Sequence, residues 1–528
     1  MKRPLVFAVF CLLLASLAVG NLLLLVQLQE SLNQYMPDSA RLTDMADIRP
    51  VSGESPAEAV VLVVVDGLRN DISQGLQSLN NMRNNGAYGT ARAGQPSYSK
   101  PGYAVISSGA YQDDTGIVLN DDSGPLVIDT IFRSAERSGL TTSLVAHDWW
   151  VELNGEDVFA SVYSYRDEES HDQEIDMKVC DNALRILGEN QSNLLLVHFM
   201  LTDTAGHEEG GLSTKYLAAA QAIDGYICEI ATAMDLVNET LIVTADHGHL
   251  GRNAGGGSGH GGWESEVITV PFLMLGAGVK PGKIPCSILQ TDVAPTVAAL
   301  LDIQVPSSAT GTVLWDCLDV EEEYRDSFEA ADKDRMDAAL TRSATKAAVV
   351  SEGRRNRSFW VLGVVLAIGL TLVMVRPKAN PAIVRLALLG SAVYLLTYWL
   401  TYKVAFGYVF SLSTFPNAEM LTIMRIVGLP AAVSLAVACL GLIWTAEWRA
   451  TGCPAASIGA IVAGISVTLL AIVAASYVVN GLVVTWPLPD FRVGFYQLSA
   501  MLQLGVVGLT AWIPVAVAGV LARIWRKS

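Results

Sequence analysis

Six side chains able to ligate a metal stand at the ends of apolar runs or beside glycines, and a seventh, Ser99, could act as a nucleophile. Asp246 and His247 follow the run Leu241–Val243 in LIVTADHGH, and His260 lies between Gly259 and Gly261-Gly262 at the end of a glycine-rich loop. Asp203 and His207 close the run NLLLVHFMLTDTAGH, and Asp66 closes AVVLVVVDG. An adjacent carboxylate and imidazole can turn toward one cation, and a later histidine can swing back to the same place. Oxygen and nitrogen donors of this kind suit a hard-to-borderline divalent ion. Ser99, in SYSKPGY, precedes a helical stretch from Tyr103 to Ser108. A serine there sits in positive potential, with free N–H groups facing any bound phosphoryl group. Each residue alone has a plainer role: Asp66 as a turn or helix cap, Ser97 or Ser99 as the cap of the next helix. Together they make a metal site.

The elements that must position them alternate in type. The apolar runs before Asp66, Asp203 and Asp246 have the composition of buried parallel strands, and α/β proteins place functional groups at the carboxyl ends of such strands. TTSLVAHDWW (141–150) and PFLMLGAG (271–278) read as further strands. Helices are expected over 129–139, 174–188 and 214–235, and over 291–303 with Asp292 near its start, where the dipole favours an acid. This order predicts an α/β domain, a mostly parallel sheet with helices on both faces.

The net charge of −17 is unevenly spread: only three acids and ten bases follow residue 357, leaving 49 acids and 25 bases before it. So acidic a part excludes nucleic acid as a partner. Cys180, Cys228, Cys286 and Cys317 fall within it, compatible with two disulfides or with four free thiols.

The remainder reads as membrane. Leu5–Leu28 is long enough to span a bilayer and reads as an uncleaved anchor, with a cleaved signal peptide the rival. Five further spans are expected, over 358–375, 382–402, 420–445, 455–480 and 496–522. The division is therefore an anchor (1–28), a linker (29–57), the α/β domain (58–318), a charged helical connector (319–357) and an all-α transmembrane domain (358–528). Arg376, Lys378, Arg449, Arg523, Arg526 and Lys527 favour a cytoplasmic N-terminus, which puts the acidic domain on the extracytoplasmic or lumenal side of a multi-pass protein. Arg425, inside a span, is a candidate partner for lipid phosphate, against the plainer reading of an arginine reaching to the interface.

VVDGLR, S-x-P-G, D-x-x-x-H, TADHG and G-H-G-G occur in an order that resembles the alkaline phosphatase superfamily, in particular its nucleotide pyrophosphatase/phosphodiesterase group and the ethanolamine-phosphate transferases of GPI-anchor synthesis. The resemblance covers roughly residues 58–316, with TDVAPTVAALL similar to the closing helix of that family. It implies two divalent ions, Zn²⁺ with Mn²⁺ as alternative: one on Asp203, His207 and His260, the other on Asp66, Asp246, His247 and the Ser99 oxygen. It implies Ser99 as nucleophile, and Asn120 as the asparagine that contacts the phosphoryl oxygen together with the Lys100 N–H. Tyr103 departs from the histidine that the transferases carry after Pro-Gly, and five trailing spans are fewer than theirs.

The expected function is a membrane-anchored phosphotransferase or phosphodiesterase working through a phosphoserine. It would move phosphoethanolamine or a similar group between lipid-linked phosphate esters, with membrane lipids as partners. A tethered hydrolase of soluble phosphate or sulfate esters is the alternative, and a membrane protein with an inactive metal-binding domain the third. His147, His171, His198 and His249 are given packing or supporting roles, and Lys100 a solvated one.

Overall fold

The computed structural model describes residues 55–520 except 123, 167–171, 190–191, 253–258, 376–380, 415–419, 443–444, 446–453, 481–490, 515 and 518–519. The expected anchor at 1–28, nearly all of the linker, and His171 lie outside the described residues.

The sheet contains β1 (Ala59–Val65), β2 (Ala87–Arg92), β3 (Thr142–His147), β4 (Ser161–Tyr165), β5 (Leu194–Phe199), β6 (Glu239–Thr244), β7 (Thr269–Gly276) and the short β8 (Gly282–Lys283) and β9 (Ile288–Leu289). Its order is β4-β3-β5-β1-β6-β7-β2-β8, with β9 also paired to β2. Only β7 runs against the others. The α/β class with a mostly parallel sheet is as expected. β1 is buried along its whole length, the condition under which a strand reads as an unbroken run of valine and leucine.

Register sets the site. Val64 of β1 pairs with His198 of β5 on one side and Thr244 of β6 on the other, so three parallel strands end level with one another. Helices Gln173–Glu189, Thr214–Ala233, Ser99–Ser108 and Val293–Leu300 pack around the sheet, the last two buried throughout. The strand expected over 141–150 stops at His147, where the helix Asp148–Asn154 begins. The four cysteines of this domain are free thiols, Cys180 and Cys317 buried and Cys228 and Cys286 exposed.

A single helix, Glu322–Val375, joins the charged connector to the first expected span. At 1.5 Å per residue it is about 80 Å long. Its first turns add Phe328 to the α/β core, and Arg335 donates to the carbonyls of Ala309 and Gly311 at 2.7 and 3.2 Å. Among the described residues, three segments are long and apolar enough to cross a membrane: Pro381–Ala405, Arg425–Leu442 and Ser457–Ala475. Leu498–Pro514 is apolar but shorter. These helices bury a second core that includes Tyr394, Ile461, Ile465 and Val507. Leu388, Leu396, Val404 and Val467 face outward instead, an apolar exterior that suits lipid. Arg425 is exposed at the start of its span.

Candidate active site

Asp66 follows β1, and Asp246 with His247 follows β6. Gly67 takes a left-handed φ of +68°, and a Cβ there would meet Asp203 at 3.0 Å, so the turn needs glycine to bring these strand ends together. The Gly67 amide donates to Asp246 Oδ1 at 3.1 Å. Asp203 and His207 lie in the first and last turns of the helix Leu201–Glu209, rather than on the strand-to-helix turn itself. Four residues apart on a helix they share a face, and His207 Nε2 is 3.0 Å from Asp203 Oδ2. Asp176, from the neighbouring helix, accepts from Met200 N and Leu201 N and so caps the helix that carries both.

Ser99 opens the helix Ser99–Ser108, whose N-cap is Tyr98 without any side-chain cap, so neither Ser97 nor Ser99 spends its hydroxyl on capping. Ser99 Oγ instead lies 3.1 Å from His247 Nε2. His247 Nε2 is also 3.2 Å from Asp246 Oδ2 and 3.4 Å from Asp66 Oδ1. Ser97 holds the other histidine: its carbonyl is 3.1 Å from His260 Nδ1, and its hydroxyl accepts from Gly261 N and donates to Gly262 O.

The ligand atoms gather into two groups, Asp203–His207–His260 and Asp66–Asp246–His247, each within 4.8 Å. A carbonyl can only accept, so the contacts of His260 Nδ1 with Ser97 O and of His247 Nδ1 with Gly248 O place the proton on Nδ1 and turn both Nε2 lone pairs inward. Asp66 Oδ1, Asp203 Oδ1 and Asp246 Oδ2 are buried and accept no hydrogen bond. Buried carboxylate oxygens without donors are costly unless a cation compensates them. The residues present therefore fit a divalent ion in each group.

The electrostatics agree. Burial raises the Asp203 carboxyl, but His207 and His260 outweigh it and hold it well below the usual range. Burial, reinforced by Asp66 and Asp203, drives Asp246 well above that range. Burial lowers His207, yet the Asp203 charge prevails and its imidazole rises to about 8. Burial beside His247 pushes His260 well below its ordinary value. Without a cation Asp246 and His207 are the groups driven to hold protons, which limits the negative charge, and a divalent ion would displace them.

Residues 60–251 match the family described as type I phosphodiesterase / nucleotide pyrophosphatase. The matched residues fall within the α/β domain. The chain is also similar to the human GPI ethanolamine phosphate transferase 2 catalytic subunit, 24% identical over 283 residues, which covers 48% of this chain and 27% of that protein. A GPI ethanolamine phosphate transferase 2 from Aspergillus fumigatus is 22% identical over 345 residues, 57% of this chain and 44% of its own. The chain thus spans less than half the length of these curated relatives. Among solved structures, murine ectonucleotide pyrophosphatase / phosphodiesterase 5 is 14% identical with a TM-score of 0.40, covering 49% of this chain and 100% of that one.

Within the matched residues, Asn120 Oδ1 accepts from the Lys100 backbone N–H at 3.1 Å. That amide is therefore engaged, not directed at a ligand as expected, and the Asn120 amide group is the donor left for one. Lys100 is not solvated: its ammonium is buried, bonded to Asp122 O and 2.9 Å from Glu152. Sequence reasoning noted Tyr103 only as a departure from the transferase pattern, and the supporting place it gave His198 is the one seen here. Tyr103 donates to Asp66 Oδ2, and His198 Nε2 is 3.3 Å from the same oxygen. Fully buried Trp150 stacks on Tyr103, centroids 4.6 Å apart, and fixes the phenol. His249 is also buried, with Nε2 4.0 Å from Asp203 Oδ1. The one signal for Tyr103 was its place directly after Pro101-Gly102, one helical turn beyond Ser99.

Proposed function

We propose that this chain is a membrane-bound phosphotransferase of the phosphodiesterase type that moves a phosphoethanolamine-like group between lipid-linked esters. Its α/β domain would lie on the extracytoplasmic or lumenal side. The carrying observation is Ser99 Oγ at 3.1 Å from His247 Nε2, at a helix N-terminus and beside the Asp66–Asp246–His247 group.

Cations held by Asp203–His207–His260 and Asp66–Asp246–His247, Zn²⁺ in preference to Mn²⁺, would lower the pKa of the Ser99 hydroxyl and offset charge on the phosphoryl oxygens. Ser99 Oγ, its proton passing to the leaving oxygen, would then form a bond to phosphorus as the bond to that oxygen breaks, giving a phosphoserine and a released alcohol. The amide of Asn120, its carbonyl side pinned by Lys100 N, orients toward a non-bridging oxygen. An acceptor hydroxyl displaces Ser99 Oγ in the second step, and the serine recovers its proton. His207 has a side chain 41% exposed and marks the open side by which the acceptor enters.

The lipid-linked reading is supported by the relatives' names and by the loop at 411–414, which joins apolar helices and contacts the loop carrying His260. The test uses detergent-solubilised protein with bis-p-nitrophenyl phosphate, p-nitrophenyl phosphate, p-nitrophenyl sulfate and headgroup-labelled phosphatidylethanolamine. Transfer of label to a glycolipid acceptor, with the diester preferred over both monoesters, supports the proposal. Release of label to water alone favours the tethered hydrolase.

A further inference from the structure

The loop carrying His260 is gripped from two sides. Within the α/β domain Ser97 binds His260 Nδ1 and bridges Gly261 and Gly262. On the opposite flank stands Ser413, from the loop between two apolar helices. The Gly259 amide donates to Ser413 O at 2.9 Å and the Gly262 amide to Ser413 Oγ at 3.0 Å. One residue of the apolar region therefore straddles the histidine. Ser413 Oγ in turn donates to Glu264 Oε2 at 2.8 Å, and Trp263 packs against the core of the apolar helices.

This contact is built in detail. A Cβ on Gly262 would meet Glu264 Oε2 at 2.4 Å, Ser413 Oγ at 2.6 Å and Ser411 Oγ at 2.7 Å, so glycine is what admits the serine. Ser411, Ser413 and Thr414 are all buried. Ser413 N donates to Ser411 Oγ at 3.1 Å, while Tyr402 and Thr414 both donate to Val409 O. Tyr394, Tyr398 and Tyr402 stack in series, centroids 6.2 and 5.6 Å apart, from the helix Pro381–Trp399 down to this loop. The glycines around His260 supply no rigidity of their own.

We infer that Ser413 is a positioning residue for His260, and that docking of the apolar helices onto the α/β domain completes the Asp203–His207–His260 ligand set. The inference rests on reading that group as a metal site. The apolar helices then contribute to the chemistry as well as to anchoring, because the third ligand is held by hydrogen bonds that they supply. Groups that orient a ligand from behind typically change metal affinity by about 10- to 100-fold.

The experiment titrates full-length, chelator-stripped protein in nanodiscs with Zn²⁺ and with Co²⁺, reading ion stoichiometry, affinity and the Co²⁺ visible spectrum. Ser413→Ala and Gly262→Ala are expected to weaken one of two ions about tenfold or more while the other is unchanged, and Ser413→Thr, which keeps the hydroxyl, to restore it. Two ions bound at wild-type affinity in both Ser413→Ala and Gly262→Ala would overturn the inference alone. Equal weakening of both ions would also overturn it, by pointing to general damage. A wild-type chain that binds no ion would remove the metal reading and this inference with it.

Discussion

The imidazole rings of His247 and His260 lie stacked, with centroids 3.8 Å apart and planes within 10° of parallel. One ring belongs to each ligand group, so the two groups share a wall and neither is an isolated site. Substitutions should nonetheless separate them by stoichiometry. Asp203→Asn or His260→Ala is expected to leave one tightly bound ion, and Asp66→Asn or His247→Ala to leave the other. Elemental analysis of protein stripped and reloaded with Zn²⁺ gives the count, and two ions retained in all four variants would contradict the assignment.

Ser99→Ala removes the hydroxyl 3.1 Å from His247 Nε2 without touching any carboxylate or imidazole. Turnover of a phosphodiester should fall by roughly 10³-fold or more, as for loss of a covalent nucleophile. Acid quenching during turnover should trap phosphoserine on the wild type and none on the variant. The ion bound by Asp66, Asp246 and His247 should persist, since three ligands remain.

Tyr103→Phe tests how Asp66 is aimed. The phenol donates to Asp66 Oδ2 while the ring stacks on Trp150. Phenylalanine keeps the stack, so the thermal midpoint should move by no more than a few degrees. Loss of a hydrogen bond to a charged group is worth about 1.5–3 kcal/mol. Expressed at Asp66, this appears as roughly 10- to 100-fold weaker binding of the ion in that group. A drop in midpoint with unchanged ion affinity would assign Tyr103 to packing alone.

The strand-end acids were legible because a strand buried on both faces can be little but valine, leucine and isoleucine, so Asp66, Asp203 and Asp246 stand out after such runs. Asp203–His207 was found by spacing, yet the i,i+4 geometry belongs to the helix that follows β5 and not to the turn. β2, AYGTAR, has no sustained alternation and contains a glycine, and its pairing with β7 comes from distant sequence. Tyr103 and Ser413 were illegible for a similar reason. Their partners lie 37 residues away at Asp66 and 151 at Gly262, and nothing local marks a hydroxyl that serves a distant loop. Ser97 and Ser99 both looked like caps, and only the extended backbone at Tyr98 sends one hydroxyl to the His260 loop and the other to His247.

The pH dependence of ion uptake should report His207. Its imidazole is raised to about 8 because the Asp203 charge outweighs burial. In the metal-free protein a raised histidine favours the folded state fully below its unfolded value near 6.5, and that contribution is lost as pH rises through about 8. Ligation runs the opposite way, since the ion needs the neutral imidazole and must displace its proton. Affinity at the Asp203–His207–His260 group should therefore climb by about tenfold per pH unit from 6 toward 8 and then level off. His260 adds no step in that window, because burial already holds its pKa well below the ordinary value. Zn²⁺ titrations at pH 6, 7, 8 and 9 against a competing chelator give the slope, and His207→Asn should flatten it. A wild-type affinity that stays level across this range would show that no proton leaves His207 when the ion binds.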